Sequence, residues 1–395
     1  MSDKRQAVIV SAVRTPMGSF NGVFSSVPAT RLGSIAIAEA LKRAHVPPER
    51  VDDVLMGCVL SAGLGQAPAR QASIGAGIPD SIGATTVNKV CGSSIKTVMM
   101  ASQAIALDEA RIVVAGGMEN MSRAPYLLEK ARQGYRLGHA EIVDSLIKDG
   151  LWDVYNNFHM GNAGELCAAK YRLTRREVDD FALESYRRAQ HAIAAGIFKR
   201  EIVPVDVPQR KGPPIVVSDD EEPNRVDLGK LRDLKPVFQE DGLLTVGNSP
   251  SCNDGAAALV VMAEEEAEAL GLTPKARIAG YAGAALAPEW LTMAPVEAIK
   301  LVLKKTGLSL GDIDLFEINE AFSAVSLAIN RELGLDQKKV NVNGGAVALG
   351  HPIGATGARI LTTLLHAMEA AGARRGLASL CIGGGEALAM VLERR

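Results

Sequence analysis

The sequence predicts an α/β fold built as two similar halves, with a more polar segment inserted between them. Three observations carry this. The order helix, strand at 54–57, loop with Cys91 and helix, strand at 113–117 recurs as helix 295–306, strand 313–319, loop with His351 and helix, strand 380–384. Self-similarity in fixed order signals duplication. Apolar runs of strand length alternate with segments of helical period, which predicts largely parallel sheets with helices on both faces. Composition shifts to more polar and more charged between about 122 and 247. The domains expected are 1–121 continued by 248–270 for the first half, 122–247 for the insertion, and 271–395 for the second half.

Taken in order, Ala7-Val8-Ile9-Val10-Ser11-Ala12-Val13 reads as a buried strand closed by Arg14-Thr15-Pro16. Leu32, Ile35, Ala36, Ala40 and Arg43 mark a helix that ends before Pro47-Pro48, since proline cannot continue a helix. Residues 51–57 form the next strand. The small residues of 66–77 suit a closely packed helix. Residues 111–120 read as a strand ending in a glycine turn at Gly116-Gly117. Thr174 followed by Glu177 is a capping box that opens a helix through Ala195. Asp219-Asp220-Glu221-Glu222-Pro223-Asn224-Arg225 is an acidic loop. The chain then returns at 246–254, and 255–262 is the last strand of the first half.

Bulk properties exclude several classes. With 395 residues, 47% of them hydrophobic, the chain can bury a large core. A net charge of −2 with dispersed Lys and Arg gives no nucleic-acid surface. No apolar run is long enough to span a bilayer. The first strand starts directly after Met1-Ser2-Asp3-Lys4-Arg5-Gln6, with no leader pattern, so a cytoplasmic location is expected. Five irregularly spaced cysteines read as reduced thiols, and the six scattered histidines give no metal site. The glycine runs lack a Gly-Lys-Ser/Thr ending, so there is no phosphate loop.

Three stretches carry reactive groups. Cys91 lies at a turn ahead of a helix whose face is Ile95, Val98, Met99, Ser102 and Ile105. A helix N-terminus favours a thiolate, although most cysteines are small buried hydrophobes. His351 sits on a loop between Gly350 and Pro352, just ahead of a helix beginning near Ala358. Cys381 ends a buried strand before Gly383-Gly384-Gly385. Two cysteines and a histidine beside glycines suit thiol-based acyl chemistry. Cys58, Cys167 and Cys252 read as structural. His45, His139, His191 and His366 read as surface or helix residues.

Val90-Cys91-Gly92-Ser93-Ser94, Asn319-Glu320-Ala321-Phe322, Gly350-His351-Pro352-Ile353-Gly354 and Cys381-Ile382-Gly383-Gly384-Gly385 resemble the four catalytic motifs of the thiolases, in order and in separation. The resemblance runs from 8 to 392. It implies αβαβα layered halves with an inserted loop domain. The implied activity is acyl transfer, the reversible Claisen condensation of two acetyl-CoA to acetoacetyl-CoA plus CoA. A broader-chain 3-ketoacyl-CoA thiolase of fatty-acid β-oxidation shares the motifs and is the nearest alternative. A ketoacyl synthase would lack a second catalytic cysteine.

The resemblance also implies roles. Cys91 is the nucleophile, His351 its base, and Cys381 the acid and base at the α-carbon. Asn319 would hold a water for the enolate, and the N–H groups of Cys91 and Gly383 would hold the oxyanion. His159, Met160, Phe238 and Phe322 match the pantetheine tunnel, and Arg225 matches a contact near the nucleotide. As residues alone, Arg225 also reads as solvated charge and His159 as aromatic core. CoA enters as substrate, with no tightly bound cofactor and no metal. Thiolases are dimers or tetramers, so a homo-oligomer is expected.

Some positions depart from the commonest pattern. Pro250 stands where many thiolases have a CoA-contacting Ser, leaving Ser249 or Ser251 for that contact. Glu386 follows the glycine turn, and a carboxylate turned inward there would raise the Cys381 thiol. Ser94 replaces a frequent Gly, and Leu291 stands where some biosynthetic members have Met.

Overall fold

The computed structural model describes residues 5–394. The reading that no leader precedes the first strand rests largely on residues 1–4, which lie outside the described ones. Ten strands form one sheet: β1 (Ala7–Arg14), β2 (Gly18–Ser19), β3 (Asp53–Gly57), β4 (Gly83–Val87), β5 (Ile112–Asn120), β6 (Asn253–Ala263), β7 (Ala276–Ala285), β8 (Leu315–Ile318), β9 (Arg375–Ile382) and β10 (Glu386–Glu393). The helices are α1 (Ala29–Ala44), α2 (Pro68–Gly75), α3 (Ser93–Ala106), α4 (Met160–Lys170), α5 (Arg175–Ala194), α6 (Glu264–Ala269), α7 (Ala294–Thr306), α8 (Ser323–Leu333), α9 (Ala346–Leu349) and α10 (Thr356–Ala371).

The strand order is β8-β9-β10-β7-β1-β6-β5-β3-β4, with β2 beside β6. The expected largely parallel sheet is corrected here. Among the described residues only the ladders β8–β9, β3–β4 and β3–β5 run parallel. The glycine turn after Cys381 is too short for a crossover, so β9 and β10 pair antiparallel, and β6 returns antiparallel between β1 and β5. The two halves of the sheet join through β1 and β7 by two residue pairs, Val8 with Arg277 and Ile9 with Ala276.

Side chains alternate across each strand, and most strands are covered on both faces, while β4 and β7 stay partly exposed. Leu259 and Val261 of β6 pack in a core with Val98 and Ile105 of α3, Ile360 and Leu364 of α10, and Leu380 and Met390 of the second half. Val260 and Met262 point the other way, into a core with Leu32 and Ile37 of α1. Val391 and Leu377 likewise meet Ile299 of α7 and Val325 of α8. The molecule is therefore layered helix, sheet, helix, sheet, helix, with α3 and α10 as the shared central layer. Double-sided burial explains why strands such as β1 and β6 read as unbroken apolar runs.

Gly116 and Gly117 lie inside β5, not in a turn. A Cβ at Gly116 would stand 2.2 Å from the Ala257 carbonyl oxygen, and one at Gly117 would stand 2.1 Å from that of Gly354. Close approach, not chain reversal, requires these glycines.

Residues 126–217 add short two-stranded ladders, the helices α4 and α5, a π-helix (Leu146–Leu151) and a 3-10 turn (Ile197–Arg200). The capping box forms: Thr174 N–H donates to Glu177 Oε2 at 2.8 Å, and Glu177 N–H donates to Thr174 Oγ1 at 3.3 Å. Buried Arg14 of β1 ties this segment down, donating to Glu201 Oε1 at 2.5 Å and to both oxygens of Asp220 at 2.6 and 2.8 Å. Burial works against the Arg14 charge, but Asp220 and Glu201 outweigh it.

Candidate active site

Cys91 stands on a tight turn between β4 and α3. Gly92 and Ser93 donate their N–H groups to the carbonyls of Lys89 and Val90 at 3.0 and 3.1 Å. Val90 takes φ +46°, a strained conformation for a β-branched residue. Gly92 permits the approach of β9: a Cβ there would stand 2.4 Å from Ile382 Cδ1. Ser94, the departure from the commoner Gly, has a definite partner. Its hydroxyl accepts the Ala358 N–H of α10 at 2.9 Å, satisfying one of the free donors in that helix's first turn. Gly357 makes the same contact possible, since its Cβ would stand 2.4 Å from Ile95 N.

His351 is held from several sides. Its N–H donates to Asn253 Oδ1 at 2.9 Å, and its Nδ1 lies 2.7 Å from Thr356 Oγ1. Gly350 has φ +95°, and a Cβ there would stand 2.2 Å from the Asn253 side chain. The following loop is fixed by Glu119 at the end of β5. Glu119 accepts the N–H groups of Gly354, Val59 and Leu60 at 2.9, 3.0 and 3.1 Å. Cys381 lies one residue before the end of β9, and Gly384 and Gly385 turn the chain at φ +92° and +91°.

These elements meet at a largely apolar cavity of about 190 Å³, which Cys91, His351, Cys381 and Gly383 all line. His159, Met160, Phe238, Leu291 and Phe322 line it as well. His159 stacks on Phe238 with centroids 5.1 Å apart, and Phe238 meets Phe322 edge-on at 5.8 Å. Asn319 is buried, and neither of its amide atoms has a protein partner. It precedes α8 without capping it, because Phe322 holds the N-cap position. Ser249 is buried outside the cavity lining, while Pro250 and Ser251 line it. Arg225 is also outside, half-exposed and paired with Glu221 at 3.1 Å.

Two expectations change. Burial pushes the Cys91 thiol up to about 11, although the N–H groups of Gly383 and Cys91 pull against the shift. The helix end alone therefore does not make a thiolate, because the thiol lies in an apolar cavity. Glu386 turns away from Cys381 and forms an ion pair with Lys89. Burial, then the nearby Cys91, hold the Cys381 thiol well above its ordinary range. His351 moves the other way: burial, with the Arg359 charge added, pushes it down to about 3. At rest Cys91 and Cys381 are thus neutral thiols and His351 is a neutral imidazole.

The sequence reading missed Cys252, Met121, Gly150 and Leu151, which also line the cavity. Gly150 and Leu151 end a π-helix (Leu146–Leu151), a form often found at functional sites. Glu119 was missed as well; the signal available was an acid near the end of a largely apolar strand. His366 proves buried, with Nε2 3.0 Å from the Ala12 carbonyl oxygen.

A cavity where Cys91, Cys381 and His351 meet, set between duplicated halves, defines a thiol acyltransferase. The descriptions Thiolase, N-terminal domain and Thiolase, C-terminal domain match residues 7–265 and 272–394, and the chain belongs to the thiolase family. An acetyl-CoA acetyltransferase of Cupriavidus necator is 52% identical, covering 98% of this chain and 99% of that protein. One from Escherichia coli is 53% identical and covers 99% of each. The crystal structure of a Bacillus anthracis acetyl-CoA acetyltransferase superposes with a TM-score of 0.96 at 42% identity, over 99% of each chain. A thiolase from Ascaris suum in complex with coenzyme A superposes at 0.94 with 43% identity, over 99% of this chain and 100% of that one.

Proposed function

We propose that this chain is an acetyl-CoA acetyltransferase, which condenses two acetyl-CoA to acetoacetyl-CoA plus CoA and reverses that reaction. The observation that carries it is the meeting of Cys91, His351, Cys381 and Gly383 on one small apolar cavity. Relatives at about half identity over the full length bear that name, which supports the choice.

The Cys91 proton passes to His351 as the sulfur attacks the thioester carbonyl of the first acetyl-CoA. CoA leaves with the proton of Cys381, and the acetyl group stays on Cys91. The Cys381 thiolate then removes an α-proton from the second acetyl-CoA. The resulting carbanion attacks the acetyl carbonyl, and Cys91 leaves as thiolate to recover its proton from His351. A thiol held well above its ordinary range is a strong base once ionised, which suits Cys381 to a weakly acidic C–H. The N–H groups of Gly383 and Cys91 hydrogen-bond to the Cys91 sulfur and would hold the oxyanion beside it. The unpartnered amide of Asn319 suits a bound water that hydrogen-bonds the enolate. Apart from that water, the groups these steps use are side chains and N–H groups of the chain, with CoA as substrate. His159, Met160, Phe238, Leu291 and Phe322 would wall its pantetheine, and Arg225 would reach the nucleotide from the rim.

The assembly is proposed to be a homo-oligomer, a dimer or a tetramer of two dimers. Among the described residues β4 ends the sheet and pairs only with β3, and the inserted segment exposes Leu128, Ile142 and Val154. A cytoplasmic location is proposed as well. Five free cysteines suit a reducing compartment, and no helix of the described residues is long and apolar enough to cross a membrane.

The alternative is a degradative thiolase for longer chains. Thiolysis of 3-ketoacyl-CoA substrates of increasing length, with Cys91→Ala as blank, separates the two. Activity confined to acetoacetyl-CoA is expected, and a flat or rising profile assigns the degradative reaction instead.

A further inference from the structure

We propose that Thr356 is a positioning residue that fixes the His351 imidazole as its Nδ1–H tautomer, leaving Nε2 free to take the Cys91 proton. The inference rests on His351 being the group that accepts that proton. Thr356 opens α10, fully buried, five residues after the histidine. Its Oγ1 lies 2.7 Å from His351 Nδ1 and 2.9 Å from the Pro352 carbonyl oxygen. The Pro352 carbonyl, which also accepts the N–H groups of Ala355 and Thr356 at 2.9 and 3.0 Å, only accepts, so both Oγ1 contacts are hydrogen bonds together only when the single hydroxyl proton points to Pro352. The oxygen then offers Nδ1 lone pairs only, and the contact is a hydrogen bond when Nδ1 carries the proton. With the hydroxyl turned the other way, Nε2 would carry it and would have no lone pair for a thiol.

The loop and the ring are held separately. The His351 N–H is bound by Asn253 and the Gly354 N–H by Glu119, so neither bond depends on Thr356. What the Thr356 hydroxyl controls is ring rotation and tautomer. It is also neutral. A carboxylate in its place would hold the imidazolium and keep the proton there, whereas a hydroxyl orients the ring without doing so. In the first step the S–H bond of Cys91 breaks and an Nε2–H bond forms. The sulfur's electron pair goes to the thioester carbonyl carbon, and Nδ1–H stays on Thr356 Oγ1 throughout.

The test has two arms. Protein labelled with ¹⁵N in histidine should show, for the resonances missing from His351→Ala, a protonated Nδ1 and a bare Nε2 at neutral pH. In kinetics, Thr356→Val should lower kcat by about tenfold or more with KM within about twofold, and Thr356→Ser should recover most of the loss. A protonated Nε2 in the resting enzyme overturns the proposal. So does a wild-type kcat in Thr356→Val, or a Thr356→Ser as impaired as the valine variant. If Thr356→Val does not fold, the nitrogen spectrum of the unaltered chain decides alone. The parent reading fails differently. A His351→Ala enzyme whose Cys91 alkylates at the wild-type rate sinks the base role, while an inactive His351→Ala beside a fully active Thr356→Val sinks only the role of Thr356.

Discussion

The Ser94 hydroxyl of α3 accepts a hydrogen bond from the Ala358 N–H of α10 at 2.9 Å, joining the helix that follows Cys91 to the helix that follows His351. The bond caps one central helix with a side chain of the other. Ser94→Ala leaves a buried N–H without its acceptor. The expected cost is about 1 kcal/mol, read as a lower midpoint in urea unfolding at unchanged slope. A midpoint equal to wild type would mean that water replaces the hydroxyl.

Glu119 accepts three backbone N–H groups from two loops, one of them carrying His351. Glu119→Gln keeps the shape but turns an NH₂ group toward at least one of these donors. A loss of about 1–3 kcal/mol in stability is expected, with kcat falling alongside as the Gly354 loop loosens. Full stability in the variant would show that the carboxylate is not needed there. Burial pushes the Glu119 carboxyl up to about 7, against an ordinary 4.5. Between those values the folded group keeps a proton that the unfolded one releases. Its contribution to stability therefore falls as pH rises through that window.

His351 gives a pH effect of opposite sign. Folded, the imidazole stays neutral down to about 3, whereas its ordinary value is 6.5. The unfolded chain therefore binds the proton first as pH falls, and this group makes the fold less stable below about 6.5. His351→Asn should flatten that part of the acid limb in unfolding experiments. For the same reason kcat/KM should show no break near 6.5 that belongs to His351.

Much of this was visible in the sequence. Cys91, His351 and Cys381 announce themselves because each lies in a short glycine-rich stretch, where local spacing carries the signal. The strands at 7–13, 51–57, 111–120 and 255–262 were equally plain as apolar runs, whereas β4, β7 and β10 were not read from the sequence. Strand direction was not, because Gly383-Gly384-Gly385 read as an end when it is a hairpin. Gly117 was misread for a related reason: its demand for space comes from the Gly354 carbonyl, which local spacing does not show. Asn253 and Glu119 hold the His351 loop from 98 and 235 residues away, distances at which no periodicity speaks.

The two close glycines separate stability from activity. At Gly117 a Cβ would meet backbone at 2.1 Å, while at Gly92 it would meet the movable tip of Ile382 at 2.4 Å. Gly117→Ala should therefore be strongly destabilised, by about 3 kcal/mol or more, and Gly92→Ala by less. Gly92→Ala should instead lose activity by displacing Cys91 from the end of β9. Thermal melts beside turnover of the same preparations check both, and equal destabilisation of the two variants would contradict the distinction.

Capture of the covalent intermediate tests the thiol mechanism most directly. The protein is mixed with acetyl-CoA, quenched in acid and digested, and the cysteine peptides are weighed. One acetyl group is expected on the Cys91 peptide. It should be absent from Cys91→Ala, and in Cys381→Ala, which lacks the proton donor for CoA and cannot activate the second substrate, it should form more slowly but persist. An acetyl group on Cys381 or Cys252 instead, or turnover by Cys91→Ala, would contradict the assignment of Cys91 as nucleophile.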